Sequence, residues 1–298
     1  VDTEGTTDPR PGGVLEEPCA KGLADSPWAS VDDLYLGLVA LSDELASPDS
    51  YPRPQGSGFG MGGSEYWQKC DRARVYPEKF VQELTDAGYL ACLIPEQYGG
   101  AGLGIREAAV ILEEIHRSGG NAAACHAQMY TMGTLLRHGS PEQKERWLTG
   151  IASGALRLQA FAVTEPDAGS DTASISTFAE RKGDRYIVNG KKIFISRMQH
   201  SDLMVLLART TPRADVEKRT QGLSVFVVDL RDAGDSVHVQ PVDTMINHET
   251  NAVFFDDLEV PAENRIGEEG NGFSYILGGM NAERILLASE SIGDASFF

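Results

Sequence analysis

One stretch, Phe161-Ala-Val-Thr-Glu-Pro-Asp-Ala-Gly-Ser-Asp171, concentrates residues that can hold a ligand. Its apolar start reads as a strand end, and Pro166 and Gly169 read as the turn after it. Thr164 and Ser170 carry hydroxyls that both donate and accept. Ala168-Gly169 lets backbone N–H groups come close to a bound group, an anion above all. Taken alone this is a weak anion-binding signal, because an ordinary turn has the same composition. Metal chemistry finds no comparable support. The histidines at 116, 126, 138, 200, 238 and 248 form no HExxH-like cluster. Cys19, Cys70, Cys92 and Cys125 fit neither a zinc pattern nor a CxxC redox pair, and read as reduced thiols in a reducing compartment.

The elements that must position these groups follow from hydrophobic period. Phe80, Val81, Leu84 and Ala87 form one helical stripe, entered at Pro77 and ended by Gly88. A second stripe, Ala108, Ile111, Leu112 and Ile115, closes at Gly119-Gly120. A third carries Met129, Met132, Leu135 and Leu136 and stops at Gly139; Ser140 and Pro141 open a fourth. The methionines read as core filling. From Leu156 the period changes. Ile175, Thr177 and Ala179 alternate, Arg181 to Asp184 turns, and Tyr186 to Val188 is a strand. Asn189-Gly190 predicts a type I′ hairpin leading into Lys192 to Ser196. Leu203–Ala208, Leu223–Asp229, Val237–Pro241 and Ala252–Leu258 are further strands. Strands without intervening helices predict an antiparallel barrel or sandwich. Beyond Gly270 the pattern turns helical again, through Ile276, Leu277, Met280, Ile285, Leu286 and Ile292 to Phe298. A helix ending there without a cap predicts an interrupted domain. The fold class is therefore α+β: an N-terminal helical domain (65–155), a middle β-domain (156–268) and the start of a C-terminal helical bundle (269–298).

Residues 1–64 differ from the rest. Seven of the 14 prolines lie before residue 55, residues 1–63 carry −8 of the −18 net charge, and Gln55 to Ser64 is glycine-rich. They read as a poorly ordered acidic extension with one short helix, Val31 to Leu45. The whole chain has 298 residues with 41% hydrophobic and 23% charged, which suits about two globular domains and excludes wholesale disorder. The 44 acidic against 26 basic residues argue against nucleic acid and anionic membranes as partners. No apolar run is long enough to span a bilayer, and no basic flank with an apolar run opens the chain. A cytoplasmic location is expected.

The 161–171 stretch resembles the flavin-binding signature of the acyl-CoA dehydrogenase family. Asn189-Gly-Lys-Lys-Ile-Phe-Ile-Ser196 resembles the family's second flavin segment. Ile94 to Leu103, Phe254 to Asn264, Ile266 to Phe273 and Asn281-Ala-Glu-Arg284 resemble further family motifs, in the family's order. The resemblance covers about residues 65–298 and implies FAD as cofactor, with α,β-dehydrogenation of an acyl-CoA thioester to the 2-enoyl-CoA. It implies an electron-transferring flavoprotein or similar acceptor as partner, and a homo-oligomer, dimer or tetramer, for the complete enzyme. It also carries over site residues. Thr164 meets the flavin's pyrimidine edge, with Phe161, Ala162 and Val163 beside the ring. Gly169 and Ser170 sit at the pyrophosphate, Ser170 also near the CoA chain. Phe194, where many relatives have Trp, packs on the ring beside Ile195, and Ser196, where many have Thr, donates to it. In the isovaleryl- and long-chain-type branches the base lies at the position of Glu283; a Glu is also favoured in a first helical turn by the helix dipole. Asn281, often Asp in relatives, and Arg284 match CoA contacts. Glu290 is the fallback base, read otherwise as a solvated helix charge. Oxidases and flavin monooxygenases of similar fold, or a non-catalytic fragment, are the alternatives.

Overall fold

The computed structural model describes residues 64–298, so the acidic extension and its 31–45 helix lie outside the described residues. Five helices come first: α1 (Ser64–Ala73), α2 (Glu78–Asp86), α3 (Ile105–Arg117), α4 (Ala127–His138) and α5 (Pro141–Ala152). The predicted stripes point inward. Phe80, Val81 and Leu84 of α2 and Ala108, Ile111, Leu112 and Ile115 of α3 are buried in one core. On α4 every residue from Ala127 to Leu135 is buried, so this helix is central rather than amphipathic. At the start of α5, Ser140 Oγ accepts from the Gln143 N–H, and the Gln143 side chain accepts from the Ser140 N–H. This reciprocal capping satisfies donors that the first helical turn leaves open. The other end of the Gln143 amide donates to the carbonyls of Glu263 and Arg265 and so ties the helical layer to the sheet.

The strands are β1 (Leu158–Ala162), β2 (Phe178–Lys182), β3 (Arg185–Ser196), β4 (Leu203–Arg209), β5 (Leu223–Asp229), β6 (Val237–Pro241), β7 (Thr250–Pro261) and β8 (Arg265–Ile266). They form one sheet in the order β6-β7-β3-β2-β4-β5-β8, with β1 paired to β4. The sheet does not close on itself. It is also mixed: β1 and β2 both run parallel to β4, where an all-antiparallel sheet was expected. β4 and β5 are buried on both faces, one packing on the helical layer and the other on Tyr186, Val188 and Val253.

The expected hairpin at Asn189-Gly190 is not there. Both residues lie within the single strand β3, which pairs with β7 on either side of them. The Asn189 side chain is occupied by Asp257, donating to its carboxylate at 2.8 Å and accepting from its N–H at 2.9 Å. Glycine is needed at 190 because φ is 149° and an added Cβ would lie 2.7 Å from the Thr177 Cα. The reversal comes earlier. Lys182 pairs with Arg185, so Gly183-Asp184 is the two-residue loop, with Gly183 at φ 66°. Ile175 and Thr177 precede β2 rather than forming part of it.

The last element, α6 (Gly272–Phe297), lies along α3 and also packs on α4. It buries Ile276, Gly279, Ala282, Leu286, Glu290 and Gly293, a helical stripe. At Gly293 a Cβ would sit 2.3 Å from the Glu113 carbonyl oxygen, so the backbones of α3 and α6 touch there.

Candidate functional site

A cavity of about 480 Å³ opens between the sheet and the two helices α4 and α6. Its sheet side is built from the end of β1 and the end of β3. The Ile193 N–H donates to the Thr164 carbonyl at 2.9 Å, which lays the two segments side by side. Beneath them Lys192 and Glu165 form a fully buried ion pair at 2.9 Å. Lys192 Nζ also donates to the Val163 carbonyl, while the Glu165 carboxylate accepts from Ser176 N–H, Ser176 Oγ and Thr177 N–H. Burial alone would raise the Glu165 carboxyl; the Lys192 charge and these donors outweigh it and hold the group down at about 2.

Phe194 reaches the cavity through a local irregularity. Between Lys192 and Ile195 the β3–β7 register slips, so an extra residue must be accommodated on β3. Phe194 takes it up at φ 60°, a left-handed conformation that costs a non-glycine residue about 1–3 kcal/mol. The residue is 61% exposed and lines the cavity beside Ser196. Arg197 next to it is also left-handed, buried, and donates to the Asn247 side chain.

Across the cavity stands α6. Met280, Glu283, Arg284 and Leu287 line the wall at helical spacing, with Ala127 and Tyr130 of α4 beside them. Burial pushes the Glu283 carboxyl up, opposed by the charges of His126 and Arg284.

The structure thus brings Phe161, Val163, Thr164, Gly169, Phe194, Ile195, Ser196, Glu283 and Arg284 to one cavity. It leaves others off the wall. Ala162 is wholly buried on the opposite side of β1. Ser170 is exposed, and Asn281 is exposed with its side-chain Oδ1 accepting from Arg284 at 2.7 Å. Glu290 is not a solvated charge. Its side chain is 8% exposed and pairs with His126 at 2.6 Å, away from the cavity wall. Gln159, Tyr130, Met280 and Leu287 were not singled out from sequence as site residues; the i, i+3, i+4, i+7 spacing from Met280 through Glu283 is the signal that marks the α6 pair.

Residues 64–155 match the model of the acyl-CoA dehydrogenase N-terminal domain, and residues 160–258 that of the acyl-CoA dehydrogenase middle domain. The chain belongs to the acyl-CoA dehydrogenase family. It is 37% identical over 229 residues to cyclohex-1-ene-1-carbonyl-CoA dehydrogenase of Syntrophus aciditrophicus, covering 76% of this chain and 54% of that protein. It is 34% identical over 235 residues to the caffeyl-CoA reductase–Etf complex subunit CarC of Acetobacterium woodii, covering 78% of this chain and 61% of that protein. Among solved structures, the acyl-CoA dehydrogenase of Geobacillus kaustophilus superposes with a TM-score of 0.76 at 29% identity, over 91% of this chain and 67% of that one. The chain spans 54% to 61% of the length of the curated relatives named here.

Members of the acyl-CoA dehydrogenase family are FAD-dependent oxidoreductases. The cavity fits such a group: an exposed aromatic face held in a strained backbone, two hydroxyls at Thr164 and Ser196, and open space above Gly169, where an added Cβ would meet nothing within 4 Å. Among the described residues, no group of three or more His, Cys, Asp or Glu could hold a metal ion, and no helix is long and apolar enough to cross a membrane. Cys70, Cys92 and Cys125 are free thiols.

Proposed function

We propose that this chain carries the flavin site and the base of an FAD-dependent acyl-CoA dehydrogenase, converting an acyl-CoA thioester to the 2-enoyl-CoA. The observation that carries the reading is the placement of Glu283, a half-buried carboxylate, opposite the Phe194–Ser196 segment and Thr164 across one cavity. Phe194 would offer its ring face to the isoalloxazine, and Thr164 and Ser196 would offer hydroxyls to its edges. Gly169 leaves room for the pyrophosphate, with Ser170 and Asn281 reaching parts of the ligands that extend past the cavity. Arg284 suits the anionic CoA moiety. When bound, FAD supplies the acceptor for the hydrogen lost from the β-carbon.

Glu283 takes the α-proton. Its partly desolvated carboxylate is a stronger base than one in water, and an acyl chain that expels water from the Met280–Leu287 wall raises its proton affinity further. Arg284, next along the helix, and His126 favour its ionised form and oppose the effect of burial. The electrons then leave to an electron-transferring flavoprotein or similar acceptor. The likeness to the subunit of a caffeyl-CoA reductase–Etf complex supports that partner.

The test is anaerobic. The purified chain, loaded with FAD, is titrated with short, branched, alicyclic and long acyl-CoAs while the oxidised flavin absorbance is followed. Bleaching by one class is expected and names the substrate. Absence of flavin binding at saturating FAD would overturn the reading for this chain.

A further inference from the structure

Two polar side chains on the cavity wall take no part in the flavin site or the proton transfer. Gln159 is 1% exposed and shares one face of β1 with Phe161, the two lining the cavity together with Val163. Ala160 and Ala162 between them are wholly buried on the other face. The Gln159 amide is oriented from behind. Tyr76, between α1 and α2, stacks on His200 with ring centroids 3.9 Å apart, and its hydroxyl lies 3.0 Å from the Ala124 carbonyl oxygen. A phenol has one proton, and the shorter contact takes it. The Tyr76 oxygen then accepts from Gln159 Nε2 at 3.1 Å. Gln159 Oε1, 3.4 Å from the same hydroxyl, is left without a full donor, and the second N–H of Nε2 has no acceptor among the described residues.

Tyr130 faces β1 from α4. Its ring meets that of Phe161 edge-on, with centroids 6.1 Å apart, so it lies against the segment that carries Gln159. Its hydroxyl makes no hydrogen bond among the described residues. The hydroxyl oxygens of Thr131 and Thr134 on the same helix are sealed from solvent without a partner. The Tyr130 oxygen is not sealed, although the residue is nine-tenths buried, and the space that the residue lines is the cavity. Around the two polar groups the wall is apolar, with Ala127, Phe161, Met280 and Leu287. A hydrocarbon chain that displaced water from this wall would leave a hydroxyl and half an amide unpaired. An acyl group with an oxygen of its own would pair them.

We propose that Gln159 and Tyr130 form a subsite for a neutral oxygen substituent on the acyl group, a hydroxyl or a ketone. The proposal rests on the reading of the cavity as an acyl-CoA site and names the substrate class for it. Both side chains donate and accept, so they suit either substituent. Gln159 lies five residues before Thr164, about 16 Å along an extended segment, so the flavin edge assigned to Thr164 is out of its reach. The neutrality of the substituent follows from the wall. Among the described residues the charged members of the wall are Glu283 and Arg284, both on α6, and Arg284 Nη1 already donates to the Asn281 side chain at 2.7 Å. β1 and α4 bring no cation to the wall, so a carboxylate tail would find no partner from them.

The experiment uses the full chain loaded with FAD, under anaerobic conditions. Straight-chain acyl-CoAs from butanoyl to decanoyl are each compared with their terminal-hydroxyl and methyl-ketone counterparts. Calorimetric titration gives each affinity, and flavin absorbance is followed in parallel. At one chain length or more, an oxygen-bearing member is expected to bind about tenfold tighter than its hydrocarbon parent. Tyr130→Phe keeps the ring against Phe161 and removes a hydroxyl that the fold does not use, so it is expected to bring the ratio toward one with FAD affinity unaltered. Gln159→Leu is expected to lower the ratio as well. A ratio of one or less at every length in the unaltered chain would overturn the proposal. So would a ratio that both variants leave in place, or a loss that falls equally on both members of a pair. Binding of neither kind of acyl-CoA would remove the acyl-CoA reading and this subsite with it, whereas binding without preference would remove the subsite alone.

Discussion

The two sides of the cavity are held by different means. The sheet side, Val163 to Glu165 against Lys192 to Ser196, is bound together by backbone hydrogen bonds and by the Lys192–Glu165 pair, whose members lie 27 residues apart. The helix side presents Glu283 from a helix whose place depends on packing against α3 and α4, at Gly293 and at the His126–Glu290 contact 164 residues apart in sequence. The sheet side is fixed by hydrogen bonds and an ion pair between segments 27 to 29 residues apart. The helix side depends on contacts between segments as far as 164 residues apart.

The largest effect is expected on the sheet side. Lys192→Met leaves Glu165 buried without its cation and is expected to cost ~3–5 kcal/mol in urea unfolding. If the loss is under 1 kcal/mol, the pair does not hold the two segments together. Acid titration sharpens the same point. The Glu165 pKa is depressed by folding, so its contribution to stability is present above its unfolded value and is lost as pH falls toward about 2. The stability gap between the unaltered chain and Lys192→Met in urea unfolding should therefore narrow as pH falls through this range; a gap of constant size would contradict the assignment.

On the helix side, Gly293→Ala inserts a methyl against the Glu113 carbonyl oxygen and is expected to cost about 1–3 kcal/mol, by forcing α6 away from α3. Because Glu283 rides on α6, acyl-CoA bleaching rates should fall with it, whereas FAD affinity should change little. Equal losses of both would erase the distinction between the two sides. The smallest stability change is expected at Phe194→Gly. Relief of the left-handed strain and the extra chain entropy of glycine oppose one another, leaving a net within ~1 kcal/mol. FAD affinity, measured by equilibrium dialysis, should nevertheless drop because the ring face is gone.

What was legible in the sequence follows the same division. The 161–171 and 189–196 segments carry their chemistry in consecutive residues, and nine of the carried-over site residues meet at one cavity. Helix stripes and the Ser140-Pro141 start were readable because capping and period are local. Asn189-Gly190 misled because a strong hairpin dipeptide can also serve a strand irregularity, where Thr177 crowds Gly190 and Asp257 occupies Asn189. The parallel pairing of β1 with β4 joins strands whose partners no local pattern names. Glu290 looked like an exposed helix charge because His126, which buries with it, lies in a different helical segment. Lys192 and Glu165 stood inside the quoted motifs beside other charges, Lys191 and Asp167, so no local pattern marked them as the buried pair.

The central claim is that Glu283 removes a proton from the ligand held by the Phe194–Thr164 side. The measurement that tests it most directly is anaerobic stopped-flow bleaching of the FAD-loaded chain by its best acyl-CoA, compared with Glu283→Gln. The account predicts unaltered FAD content, retained acyl-CoA binding and a bleaching rate lower by about 10²–10⁴-fold. Bleaching of Glu283→Gln at the rate of the unaltered chain would contradict it and place the base elsewhere.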